Sequence, residues 1–330
     1  MLMRTTTKKH ARRIKSAYAT KYGRMYCGKA EEVLEKWPLS HYKGKVQLIF
    51  TSPPFPLNRK KKYGNLQGEK YIKWFASFGP ILKEFLTKDG SIVIELGNAW
   101  VKGKPVMSTL PLKALLSFLE EANLHLCQEF ICYNPAKLPT PAQWVNIERI
   151  RVKDAFTRVW WMSATEKPKA DNKRVLTKYS QSMKDLLKRG TYNSGIRPSE
   201  HNISEKSFLT NHGGSIPPNI LVSSIEEMLP DLIEVLPIAN TSSGDHFQKY
   251  CRKKSIQLHP ARMPYKLVEF FLKFLTDQGD IVLDPFAGSN TTGYVAENLK
   301  RRWMGIEIKP EYIQASEERF NFTLANRFKN

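Results

Sequence analysis

The chain has 330 residues, of which 41% are hydrophobic, so it is long enough for one large domain or two with a full core. Lys and Arg number 52 against 31 Asp and Glu, and the net charge of +21 favours a nucleic-acid partner over a membrane surface or a generally basic background. The apolar runs are too short for a transmembrane helix, and the basic residues 1–15 lack the apolar core of a secretory signal.

The first half of the chain alternates strands and helices. Residues 1–22 are rich in Lys, Arg and Thr, have no helical apolar stripe, and predict a flexible basic arm. Strands that alternate with helices favour a mostly parallel α/β sheet over residues 23–164. The predicted elements are helices at Ala30–Trp37, Glu69–Leu86 and Leu110–Ala122, an Asp89-Gly90 turn, and strands at Val46–Phe50, Ser91–Leu96, Phe130–Tyr133 and Phe156–Met162.

The pattern breaks at residues 165–255, where Lys, Ser, Asn, Gly and Pro predominate. Short apolar runs at Ile220–Val222 and Leu232–Leu236 favour an ordered, loop-rich insertion over a disordered linker. The alternation resumes over residues 256–330, which completes the domain. The predicted elements there are helices at Pro264–Leu275, Asn290–Asn298 and Pro310–Asn321, and strands at Ile281–Leu283 and Trp303–Ile308.

Four cysteines, Cys27, Cys127, Cys132 and Cys251, show no CxxC spacing. Structural zinc sites usually show such spacing. The pattern therefore argues against a metal site and predicts a reducing cytoplasm.

The segment Asp280–Gly293 has the pattern of a nucleoside-binding loop. It reads as a buried strand, a turn at Gly288 and a helix opening at a Ser/Asn/Thr cluster, whose free N–H groups face a ligand. Glu307 ends the next strand. In such units an acid at this position binds the ribose of an adenosine. A tight turn beside an incidental glutamate is the structural alternative. The residues predicted to bind a cofactor are Asp284, Pro285, Phe286, Ala287, Gly288, Ser289, Asn290, Thr291 and Glu307.

The composition of this loop narrows the choice of cofactor. It lacks the GxGxxG of dinucleotide sites, and Tyr294 stands where a P-loop has its lysine. Asp284 suits a cation better than a phosphate. S-adenosylmethionine carries an ammonium and a sulfonium, so it is the predicted cofactor.

A second unusual loop, Ser52–Phe55, follows the predicted strand Val46–Phe50. Ordinary turns use Gly, Asn or Asp, whereas this one has two prolines and an aromatic tip. Ligands of open α/β sheets bind outside the carboxyl ends of the strands, so this loop and Asp284–Gly288 should face one crevice. A rigid turn that packs Phe55 into the core is the structural alternative.

Ser-Pro-Pro-Phe, followed far downstream by Asp-Pro-Phe-Ala-Gly-Ser-x-Thr-Thr-Gly, resembles the circularly permuted beta group of DNA amino-methyltransferases from restriction–modification systems. "TSPPFPLNRKKKYGN" and "FAGSNTTG" are similar to the PvuII type, and Ser-Pro-Pro-Phe is typical of members that methylate cytosine at N4. The resemblance covers residues 26–320 except the insertion. It implies S-adenosylmethionine and a Rossmann-like, seven-stranded sheet that ends in a β-hairpin. Two places depart from the family pattern. Asn290 stands where many relatives have glycine, and Cys27–Ala30 stands where the family often has Gly-Asp.

The resemblance implies a role for each residue of the proline loop. An exocyclic amino group is a poor nucleophile, and acceptors for its two hydrogens, the Ser52 hydroxyl and the Pro53 carbonyl, would draw it towards tetrahedral geometry. Pro53 and Pro54 keep the loop rigid, and Phe55 stacks on a flipped base. Cytosine-C5 methylation would need a cysteine, usually after proline, and none of the four cysteines follows one.

Two regions are predicted to hold DNA. Arg59, Lys60, Lys61 and Lys62 follow the catalytic loop and suit phosphates. The insertion is the predicted target-recognition region, and its candidate contacts with base edges are Asn193, Arg197, His201, Asn202, His212 and Ser215. Residues 134–161 predict a wall of the crevice, although their tryptophans fit a core equally well.

The leading hypothesis is a site-specific methyltransferase that acts on cytosine N4 of double-stranded DNA in a prokaryotic cytoplasm. A separately encoded restriction endonuclease would be its functional partner, and the enzyme would be a monomer or dimer. Adenine N6 is the first alternative because the loop chemistry is nearly the same. An RNA or protein amide methyltransferase fits the basic insertion less well. A DNA-binding module with a dead cofactor pocket is disfavoured by the intact Ser52, Asp284 and Glu307.

Overall fold

A nine-stranded sheet organises the computed structural model, which describes residues 13–55, 66–135, 137–205, 208–222, 251–257, 259 and 262–327. Its strands are β1 (Tyr18–Ala19), β2 (Gly23–Cys27), β3 (Val46–Thr51), β4 (Leu86–Gly97), β5 (His125–Tyr133), β6 (Phe156–Ser163), β9 (Ile220–Val222), β10 (Ile281–Asp284) and β11 (Arg302–Glu307), while β7 (Gly195–Ile196) and β8 (Asn202–Ile203) form a separate hairpin. The helices are α1 (Ala30–Leu34), α2 (Gly68–Phe85), α3 (Leu110–Ala122), α4 (Gln181–Arg189), α5 (Tyr265–Leu275), α6 (Thr291–Asn298) and α7 (Pro310–Arg327).

The strand order is β1-β2-β11-β10-β3-β4-β6-β5-β9. Strands β2, β11, β10, β3 and β4 pair in parallel, and β6 runs antiparallel to both β4 and β5. The predicted seven-stranded sheet with its β-hairpin is therefore confirmed as the run from β2 to β5, and the short strands β1 and β9 extend its two edges.

The central strands are apolar because helices cover both faces of the sheet. Every residue of β3 is buried, as is every residue of β10. One face carries α1, α2 and α3, with Phe75, Phe78 and Phe118 in its core, and the other carries α5 and α6, with Phe271 and Leu272. No helix in the described ranges combines the length and apolarity needed to cross a membrane.

Two segments differ from the sequence prediction. The Asp89-Gly90 turn is absorbed into β4 as an irregularity, since Val46 of β3 pairs with Leu86 while Leu48 pairs with Ser91. In the predicted flexible arm, residues 13–22 pack on the domain, because Tyr18 pairs with Met25 of β2 and is only 6% exposed. Residues 1–12 lie outside the described part of the chain.

Two parts of the predicted insertion also pack on the sheet domain. A 3₁₀ helix at Asn172–Val175 buries Val175 in the core, and Lys169 pairs with Asp277 and Asp280. Further along the chain, β9 pairs with β5. Between them α4 buries none of its side chains. The predicted run Leu232–Leu236 lies outside the described residues. The division into four segments remains a prediction.

Candidate active site

A cavity of about 660 Å³ opens at the carboxyl ends of β3, β10 and β11. The two unusual loops meet there because parallel strands end at the same edge of the sheet. The residues predicted from sequence that line the cavity are Ser52, Pro53, Pro54, Phe55, Asp284, Pro285, Phe286, Ala287, Gly288, Ser289, Thr291 and Glu307.

Asp284 connects the two loops through hydrogen bonds. Its Oδ1 accepts hydrogen bonds from Thr51 Oγ1 at 2.6 Å and from the Phe286 N–H at 3.1 Å, and its Oδ2 accepts one from Thr292 Oγ1 at 2.7 Å. The carboxylate is only 3% exposed, and this burial raises its pKa to about 6, although the three donors oppose the shift. The ends of β3 and β10 are thus joined at the floor of the cavity.

Glu307 is held by backbone N–H groups. Its Oε2 accepts from Gly288 at 3.0 Å, and its Oε1 accepts from Lys309 at 2.9 Å. Burial raises the pKa of this carboxyl, and the backbone hydrogen bonds oppose that rise. Gly288 has a φ of +51°, and an added Cβ would lie 3.2 Å from Nε2 of His259. Both the left-handed backbone and the limited space therefore favour glycine at this turn.

Asn290 is not among the described residues that line the cavity, and its predicted cofactor contact remains a prediction. The residue is 0% exposed and left-handed, with φ 51° and ψ 44°. Its Oδ1 accepts from the Gly293 N–H at 3.0 Å, which caps α6, and its Nδ2 donates to the Tyr18 hydroxyl at 2.8 Å. Both ends of the amide are therefore engaged in hydrogen bonds within the protein.

Glu95, near the end of β4, is a cavity residue that the sequence reasoning missed. It accepts a hydrogen bond from the Ser52 hydroxyl and another from Thr157 Oγ1 at 3.0 Å. Burial raises the pKa of Glu95, and the Lys137 charge opposes that rise. The available signal was an acid inside the apolar run Ile92–Leu96, since a charged residue in a buried stretch of strand needs a partner.

Phe55 forms part of the cavity wall and packs against the core beneath it. Its ring lies against Gly97, where an added Cβ would be 2.5 Å from Cε2. The residue is half-buried, so it combines a core contact with a face towards the cavity.

Replacing Gly97 with alanine should displace Phe55 and lower the free energy of unfolding by about 1–3 kcal/mol, because the methyl group overpacks the ring. Urea unfolding measures the change. In a Phe55→Ala background the same substitution should be nearly neutral. An equal loss of stability in both backgrounds would mean that Gly97 is constrained by something other than Phe55.

Aromatic residues of α2 support the cofactor loop. Trp74 and Phe78 pack on Phe286, with ring centroids 5.7 and 5.1 Å apart respectively. Trp74 Nε1 donates to Glu31 Oε1 at 2.9 Å, and both residues line the cavity. The sequence predicted this helix but assigned it no role.

The segment Cys27–Ala30, which departs from the family pattern, also borders the site. Gly28, Lys29 and Ala30 line the cavity, and the Gly28 N–H donates to the Glu307 carbonyl at 3.0 Å. His259 lies over Gly288 with its ring centroid 4.6 Å from that of Tyr312. The cofactor end of the cavity is therefore enclosed by three separate parts of the chain.

The predicted DNA contacts either are not among the described residues that line this cavity or fall outside the described residues. Arg59, Lys60, Lys61 and Lys62 fall in the range 56–65, which the structure does not describe. Arg197 Nη2 donates to the Asn193 carbonyl at 2.6 Å within the segment of the β7–β8 hairpin. Neither residue is among the described residues that line the cavity.

The chain is similar to known proteins over most of its length. The sequence model of a family described as DNA methylase matches residues 46–318. The type II methyltransferase M.PvuII of Proteus hauseri is 44% identical over 308 residues, which are 93% of this chain and 86% of that protein. The solved PvuII DNA methyltransferase, described as cytosine-N4-specific, superposes with a TM-score of 0.71 at 39% identity, covering 93% of this chain and 89% of that one. M.HpaI of Haemophilus parainfluenzae is 42% identical over 72 residues, 22% of this chain and 23% of that protein.

Proposed function

We propose that this chain, which belongs to the DNA methylase family, transfers a methyl group from S-adenosylmethionine to the N4 amino group of cytosine in duplex DNA. The observation that carries the proposal is the meeting of the Ser52–Phe55 loop and the Asp284–Gly288 loop at one cavity. The similarity to a methyltransferase described as cytosine-N4-specific supports the choice of base and atom.

The residues at one end of the cavity fit S-adenosylmethionine. Glu307 offers carboxylate oxygens that have capacity beyond their backbone bonds, as ribose hydroxyls require. Asp284 presents a buried carboxylate that suits a cationic group, and Gly288 leaves room for close approach to the backbone. When bound, the cofactor supplies an electrophilic methyl group on sulfur.

Ser52 is the residue we assign to the amino group of the base. Glu95 accepts the hydrogen of the Ser52 hydroxyl, so the oxygen's lone pairs are free to accept an amino hydrogen. The Pro53 carbonyl accepts the second hydrogen, and the two prolines keep it fixed. Both hydrogen bonds strengthen as positive charge develops on the nitrogen, so they stabilise the transition state more than the ground state.

Phe55 provides an aromatic wall for a base that has left the helix stack. Because its ring rests on Gly97, it can hold a base at the Ser52 end without moving. Arg59, Lys60, Lys61 and Lys62 are proposed to contact phosphates, and Asn193 and Arg197 to contact bases. A cytoplasmic location, a separately encoded endonuclease and a monomeric or dimeric state complete the proposal.

The affinity for S-adenosylmethionine should fall as the pH drops below about 6. Burial raises the pKa of Asp284 to about 6, so the carboxylate that would attract the cofactor's ammonium becomes neutral below that pH. Equilibrium dialysis across this range measures the effect. Asp284→Asn should flatten most of the dependence, with any remaining slope due to Glu307. A wild-type affinity that does not change with pH would contradict the role of Asp284.

Incorporation of labelled methyl groups tests the proposed function against its alternatives. The purified protein is incubated with labelled S-adenosylmethionine and, separately, duplex DNA, RNA and a protein extract. Methylation of duplex DNA is expected, and it should be lost in Ser52→Ala. Label in RNA or protein but not in DNA would overturn the proposal.

A further inference from the structure

The loop between β5 and β6, described at residues 134–135 and 137–155, leaves the sheet and is held together by its own hydrogen bonds. The Asn134 N–H donates to the Ala155 carbonyl at 2.7 Å, which closes its base. The Asp154 N–H donates to the Thr140 carbonyl at 3.1 Å, and Lys153 Nζ donates to the Pro135 carbonyl at 2.6 Å. These bonds fix the backbone that carries the exposed side chains of the loop.

Four large aliphatic residues of this loop face solvent. Leu138, Ile147, Ile150 and Val152 are 76%, 68%, 57% and 87% exposed. Basic residues alternate with three of them, at Arg149, Arg151 and Lys153. A concentration of exposed aliphatic side chains on one ordered loop indicates an interaction surface, and the interleaved charges indicate an anionic partner.

The loop leaves the sheet beside the catalytic end of the cavity. Since β4 and β5 are both antiparallel to β6, they run in the same direction and end at the same edge. Asn98, which follows β4, donates to Asp154 Oδ1 at 2.8 Å. The Arg151 guanidinium lies 4.5 Å from the Trp100 ring centroid, and the charge of Lys137 acts on Glu95. The surface therefore adjoins Glu95, the partner of Ser52.

We propose that the β5–β6 loop inserts its exposed aliphatic side chains into duplex DNA beside the target base, while its basic residues contact the flanking phosphates. This inference rests on the proposed function. A base that reaches Ser52 must leave the stack, and aliphatic side chains wedged between base steps are a common means of unstacking them. Charge favours DNA over a second copy of this chain, whose net charge is +21.

The test compares a paired target base with an unpaired one. The substrate is an oligonucleotide duplex containing a site that the wild-type protein methylates in plasmid DNA. The target cytosine faces either guanine or an abasic position. The variants are Ile147→Ser, Ile150→Ser and Val152→Ser, alone and combined. Leu126→Ser is the control, because this exposed residue lies near the start of β5, at the opposite edge of the sheet.

The combined variant should methylate the paired duplex at least about tenfold more slowly, and the abasic position should restore its rate to within about twofold of the wild type, because no pair remains to be opened. Equal loss on both duplexes, or no loss on either, would overturn the inference. A change in sedimentation of the combined variant would also overturn it and assign the surface to self-association. If the wild-type protein methylates no site in plasmid DNA, the proposed function is rejected and this inference with it.

A different observation concerns the segment of residues 13–22, which contacts the cofactor loop and the helix that follows it. The Tyr18 hydroxyl accepts from Asn290 Nδ2 at 2.8 Å and forms a second hydrogen bond with Ser316 Oγ at 2.8 Å. Thr20 Oγ1 donates to Glu297 Oε2 of α6 at 2.6 Å. Asn290 lies between Ser289 and Thr291, which both line the cavity. The contacts of this segment therefore help to fix the conformation of the cofactor loop.

We infer that Tyr18 is a positioning residue for the cofactor loop and acts through the left-handed Asn290. Tyr18→Phe leaves the Asn290 amide without its acceptor, and it should weaken S-adenosylmethionine binding about fivefold with little change in kcat at saturating cofactor. In an Asn290→Gly background there is no side-chain amide to accept from, so Tyr18→Phe should leave the affinity for S-adenosylmethionine unchanged. Tyr22→Phe is the matched control in the same segment. Equal losses in both backgrounds, or no loss in either, would overturn the inference.

Discussion

Replacing Ser52 with alanine should lower the rate of methyl transfer by on the order of 10²–10³, the typical effect of removing one preorganised hydrogen-bond partner of a transition state. The Ser52 hydroxyl is held by Glu95, so the loss removes an oriented acceptor rather than a mobile one. Single-turnover assays with saturating S-adenosylmethionine measure the rate. Cofactor affinity should stay within about twofold, because the hydrogen bond of the Ser52 hydroxyl is to Glu95 and not to the cofactor loop.

Ser77→Ala is a suitable control for this prediction. Ser77 is an exposed serine on α2 whose hydroxyl donates to the Trp74 carbonyl, so its loss should not alter methyl transfer. An unchanged rate in Ser52→Ala would remove this residue from catalysis. Loss of cofactor binding in the same variant would assign the proline loop to the cofactor instead of the base.

Changing Glu307 to glutamine should raise the dissociation constant for S-adenosylmethionine by about 10–100-fold, the equivalent of one or two charge-assisted hydrogen bonds. Each carboxylate oxygen accepts a backbone N–H, from Gly288 and from Lys309. The amide of glutamine must therefore direct its NH₂ group at one of these donors. The loop should lose its shape together with its ribose contact, and isothermal titration calorimetry measures the change in affinity.

Glu311→Gln provides the matched control, because Glu311 is a partly exposed acid four residues away that pairs only loosely with Lys309, at 3.9 Å. This change should leave the affinity unaltered. If Glu307→Gln bound the cofactor as tightly as the wild type, the acid at the end of β11 would be structural only, and the proposed ribose contact would be wrong.

The central strands and both loops of the site were predictable because their determinants are local. The strands β3, β10 and β11 are nearly continuous apolar runs, and the turn chemistry at Pro53 and Gly288 marks where two of them end. Parallel strand ends share one edge, so the convergence of the two loops followed from pattern alone. The edge strands β1 and β9, with two and three residues, are too short to show any periodicity.

Contacts between distant parts of the chain are not predictable in this way. The place of Asn290 in the loop predicts a cofactor contact but not the hydrogen bond of its amide to Tyr18, 272 residues away in sequence. The apolar run around Glu95 predicts a buried strand but not the partners of this acid, Ser52 and Thr157, which come from two other segments. Such pairings depend on tertiary structure, which no local pattern encodes.

The identity of the methylated nucleoside tests the central claim most directly. Plasmid DNA is incubated with the protein and labelled S-adenosylmethionine, digested to nucleosides and analysed by mass spectrometry. A clamp formed by Ser52, Pro53 and Phe55 around a cytosine amino group predicts N4-methylcytosine as the labelled product. N6-methyladenine would keep the amino-group chemistry and contradict the choice of base, whereas 5-methylcytosine, or no labelled nucleoside, would contradict the account of the site itself.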